Sequence, residues 1–75
     1  METLLLQYLA LAELHVGDGL LQIAEQRALL QQLEKEGRDT TDCQALLDIL
    51  EETQILHRAD RDQIIRDIVQ SRRQT

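Results

Sequence analysis

Two histidines, one cysteine and a Gly-Asp-Gly step are the residues of this chain whose types could do chemistry. His57 closes the tetrapeptide Gln54-Ile55-Leu56-His57, a spacing that di-iron helical bundles fill with Glu-x-x-His. An amide is a poor replacement for a carboxylate ligand, and His15 has Ala12 at the matching place. The spacing therefore falls short of a metal centre. Two histidines per chain, doubled in a dimer, keep a metal-binding bundle only as the last of three expectations. Cys43 stands near an expected helix start, a setting in which a cysteine can serve as a nucleophile. It also falls on an apolar stripe, where a small buried cysteine is ordinary, and the stripe is the stronger reading. Gly17-Asp18-Gly19 lacks the spacing of a phosphate-binding loop, and no serine–histidine–acid set or paired-carboxylate cleft is spelled out. No enzyme is expected from these residues, and no catalytic residue, cofactor or metal ligand is assigned.

The elements that must position these residues are two helices. Leu9, Val16, Ile23 and Leu30 recur every seven residues. Their companions Leu5, Ala12, Gly19, Gln26 and Leu33 complete an alternating 4-3 spacing, that of a helix stripe packed on another helix. A line of small residues, Ala10, Gly17 and Ala24, runs beside it and would let a neighbouring helix approach closely. Two glycines inside a helix cost about 2 kcal/mol relative to alanine. The 4-3 spacing nevertheless crosses them without a phase shift, which favours a continuous helix over a broken one. Gly37 suits the left-handed position after a helix end. Asp39, Thr40 or Thr41 can start the next helix, and Thr41 with Gln44 has the spacing of a capping box. The second stripe is Cys43, Leu47, Leu50, Gln54, His57, Arg61, Ile64 and Ile68. The expectation is one all-α domain over 1–75. It is an antiparallel hairpin of two long helices, over about 2–36 and about 41–71, with the turn at 37–40. Broad apolar faces point to a homodimer forming a four-helix bundle.

Folding that hairpin about Arg38 and Asp39 places residue i opposite residue 77 − i to within a turn. His15, Gly19, Gln26, Gln54, His57 and Arg61 then share a polar layer inside an apolar bundle. Buried polar groups of this kind fix register and partner in coiled coils. The core or dimer stripe is Leu9, Val16, Ile23, Leu30, Leu47, Leu50, Ile64 and Ile68.

Composition narrows the function further. Tyr8 is the one aromatic and proline is absent, which favours helix over sheet. A single cysteine allows no internal disulfide, and a lone thiol suits a reducing, cytoplasmic setting. The net charge of −6 disfavours nucleic acid and anionic membranes. Arg72 and Arg73 suit a helix C-terminus instead. The leucine-rich run from Leu4 to Leu14 starts after Glu2 and is interrupted by Gln7 and Glu13, unlike a signal peptide, and is too short to span a bilayer.

His15-Val16, Gly19, Ile23, Gln26-Arg27, Leu33-Glu34, Gly37, Asp39-Thr40, Leu46-Leu47, Leu50-Glu51, His57 and Arg61-Asp62 together resemble a group of short uncharacterised bacterial helical-hairpin proteins. The resemblance spans about residues 15 to 62. It departs at Cys43, where the group has alanine, and at the leucine-rich start. It implies a small helical hairpin and no activity. The leading expectation is a non-enzymatic interaction or regulatory module acting as a homodimer. The second is a small acidic inhibitor of a basic partner protein, docking through Asp42, Asp48, Glu51 and Glu52.

Overall fold

The computed structural model describes residues 1–74. Two helices, α1 (Glu2–Lys35) and α2 (Thr41–Arg73), account for nearly all of them and lie side by side, antiparallel. The pair is a rod of 60 × 14 × 12 Å. Its radius of gyration is 17.2 Å, where a globular chain of this length would have about 11 Å. The core is accordingly one seam rather than an interior. Ala12, Val16 and Ile23 of α1 and Cys43, Leu47 and Ile68 of α2 are buried along it, and Leu9, Leu30, Leu50 and Ile64 are half-buried on the same line.

α1 runs through Gly17-Asp18-Gly19 without interruption. Its end is set by Gly37, whose φ of 67° is the left-handed conformation that glycine adopts without a Cβ penalty. Arg38 N–H donates to Leu33 O at 2.9 Å and Gly37 N–H to Glu34 O at 3.1 Å, the paired bonds of a Schellman end. The chain then turns directly into α2.

The start of α2 differs from the capping box expected of Thr41 and Gln44. The Asp39 carboxylate accepts from the Thr41 backbone N–H at 3.0 Å and from its hydroxyl at 2.7 Å. A carboxylate is the stronger acceptor and takes both Thr41 donors. Gln44 is left to donate to Asp48 at 2.9 Å. The bonds from Thr41 hold the Asp39 carboxyl below its ordinary value, the backbone N–H contributing most.

The register lies about one helical turn from the expected pairing. His57 meets His15 rather than Gly19, and Gly19 meets Gln54. The Schellman end takes up residues beyond Lys35, which moves the centre of the hairpin toward the N-terminus. At the open end Arg72 pairs with Glu2, and midway Arg27 pairs with Glu51 at 3.3 Å. By length and composition α1 is apolar enough to cross a membrane; the apolar stretch continues past Leu14, the end of the run noted in the sequence. Glu13 and Asp18 stand on its exposed side at mid-helix.

Candidate functional site

Gln54 is the one buried polar residue among those described, at 5% exposure. Its heptad position would ordinarily hold leucine, so α2 carries an amide straight into the seam. There Nε2 donates to the Val16 backbone carbonyl at 2.9 Å. That carbonyl has a second lone pair beyond its helical bond. The other end of the amide explains Gly19. A Cβ built on Gly19 would lie 1.9 Å from Gln54 Oε1. The oxygen therefore sits within about 3.4 Å of the Gly19 Cα, over the space a side chain would fill. Among the described residues Oε1 has no conventional donor, and it lies against the Gly19 Cα–H group. Such a contact contributes about 0.5–1 kcal/mol. Gly19 and Gln54 thus form a lock: one residue lacks a side chain so that the other can enter.

One turn along, the His15 and His57 rings lie 5.5 Å apart, tilted by 33°. His57 is half-buried and its Nδ1 has no hydrogen-bond partner among the described residues, whereas His15 is exposed. Among the described residues no group of three or more His, Cys, Asp or Glu side chains is placed to hold a metal ion. What the pair supplies is a polar ring stack next to the lock.

Gln26 and Cys43 make a second polar station nearer the turn. Gln26 Nε2 donates to Cys43 O at 3.0 Å and to Sγ at 3.2 Å. The thiol lies 3.8 Å from Gln26 O, completing a small ring of contacts. Cys43 is free and buried, and a side chain seated in this way packs and fixes register.

Of the expected polar layer, the fold brings together His15, Gly19, Gln54 and His57. Gln26 belongs to the separate station with Cys43. Arg61 turns aside to pair with Asp62 at 3.0 Å, which keeps its charge at the water-facing rim. The Cys43 contact and the role of Gly19 as the receptor for Gln54 are absent from the sequence reading. The signal for the second was present, as a glycine in one stripe and an amide in the other. No protein-family model, curated protein or solved structure matches the chain. The functional argument therefore rests on the chain's own surfaces.

Proposed function

We propose that this protein is a non-enzymatic helical interaction module that acts as a homodimer, the two hairpins joining into a four-helix bundle in the cytoplasm. One observation carries the reading. Fifteen large apolar side chains are exposed among the described residues, against six buried apolar ones. Leu11, Leu14 and Leu21 of α1 are each more than half exposed. Single exposed leucines are normal, but a row of them along one helix exceeds what a small monomer ordinarily leaves in water. A chain of this size with one seam also lacks the core that sustains a free-standing domain. Pairing supplies the missing burial. The buried amide and ring stack then fix the register within each hairpin, so that the outward faces are presented in one alignment.

Light scattering across a dilution series tests this. The expected result is a mass near twice the 8.7 kDa chain and a melting midpoint that rises with concentration. A folded monomer at every concentration, melting at one fixed midpoint, would sink the proposal.

A further inference from the structure

Behind the face that packs on α2, α1 carries a second 4-3 series: Ala10, Leu14, Gly17, Leu21, Ala24 and Ala28. It lies roughly 140° round the helix from Val16 and Ile23, and all six residues are exposed. Gly17 is the informative member. A Cβ added there would meet nothing within 4 Å among the described residues, so none of them requires a glycine. In a helix interior that glycine costs about 1 kcal/mol relative to alanine. A requirement outside the hairpin would account for it.

Resting on the homodimer reading, we infer that this series is the dimer seam, and that the α1 helices of two copies cross it antiparallel. Size complementarity and charge complementarity choose this occupant and orientation. Antiparallel, Leu14 faces Ala24 of the second copy, Leu21 faces Gly17, and Ala10 faces Ala28. Within the series each leucine meets a small residue, so the axes approach evenly, at about 8 Å. A parallel pair would stack Leu14 on Leu14 and Gly17 on Gly17, alternating crowded layers with gaps. Flanking charges agree. Antiparallel, Glu13 of each copy stands beside Arg27 of the other, whose exposed guanidinium also holds Glu51 of its own hairpin, and Leu20 meets Leu20 between the two ion pairs. Asp18 meets Asp18 on the opposite edge, one repulsion against two attractions. A parallel pair would set Glu13 against Asp18 twice and form neither attractive pair. Flanking positions of this kind select orientation in coiled coils.

The test uses the full chain and its dissociation constant, read by light scattering, with helix content checked by circular dichroism. Gly17→Leu has open space in the hairpin and favours helix, so it should fold, yet raise the dissociation constant by about 100-fold. Glu13→Arg should raise it about tenfold, and Asp18→Asn should lower it severalfold. Leu56→Lys, on the outward face of α2, should leave it unchanged. Independently of these, Asp18→Cys should form an 18–18 disulfide under mild oxidation, identified by peptide mass. A dimer that survives Gly17→Leu, dissociates with Leu56→Lys and gives no 18–18 link would overturn the seam while sparing the homodimer. A wild-type chain that stays monomeric, or binds phospholipid vesicles as a monomer, would overturn both.

Discussion

The inner and outer faces of α1 each hold one glycine of the Gly17-Asp18-Gly19 step, and the two glycines answer to different neighbours. Gly19 sits where Gln54 has already taken the space of a side chain. Gly17 faces open water within the hairpin. Both carry the same conformational cost, since neither has a positive φ and both lie in one unbroken helix. What differs is which contact the missing Cβ makes possible. In a long helix a glycine is thus better read through its neighbours on the same face than through its propensity.

Substitution can break that contrast, and the largest effect is expected at Gly19. Gly19→Ala would normally gain helix propensity. Here the methyl group must displace the Gln54 amide, and a loss of about 2–3 kcal/mol is expected in chemical unfolding. The pair Gly19→Ala with Gln54→Ala should lose less than the separate losses added together. A Gly19→Ala chain more stable than the parent would refute the lock. Next comes His57→Leu, which removes a buried ring nitrogen that has no partner among the described residues. A gain of about 1–2 kcal/mol is expected, unaltered by a chelator. A loss that only metal-loaded protein shows would restore the metal-binding reading. Gly17→Ala should stabilise the dilute hairpin by about 1 kcal/mol, opposite in sign to Gly19→Ala. Equal signs at the two positions would erase the comparison.

The smallest effect concerns the turn. Because folding lowers the Asp39 carboxyl from its ordinary value of 3.8, its contribution is complete above that value. It is lost as the pH falls through the depressed folded value. Asp39→Asn should therefore flatten the acid side of a plot of melting midpoint against pH, leaving the neutral region nearly unchanged. Unaltered acid sensitivity would show that Thr41 does not depend on this carboxylate.

Most of the architecture could be read from spacing. The 4-3 series named both inward stripes, and Gly37 marked the turn, because helix period and left-handed glycine are local properties of a sequence. Register was a different matter. Schellman bonds at Leu33 and Glu34 and the Asp39 turn decide how many residues the bend consumes, and small differences there displace every contact along the arms. The polar layer consequently divided into two stations, with Arg61 outside both. The Gln54–Gly19 lock was hidden for a related reason. It depends on two residues 35 apart in sequence being level, which no single stripe reveals.

The layout of cross-helix contacts also implies an order of assembly. Gln26 and Cys43 are separated by 17 residues, Val16 and Gln54 by 38, and Glu2 and Arg72 by 70. Loop-closure entropy rises only slowly with length, but each contact in a hairpin shortens the loop left for the next. Closure should therefore begin at the turn, where the Gln26 amide engages Cys43, and travel outward like a zipper. Passing the Gln54 station commits the alignment, and the Glu2–Arg72 end closes last and opens first.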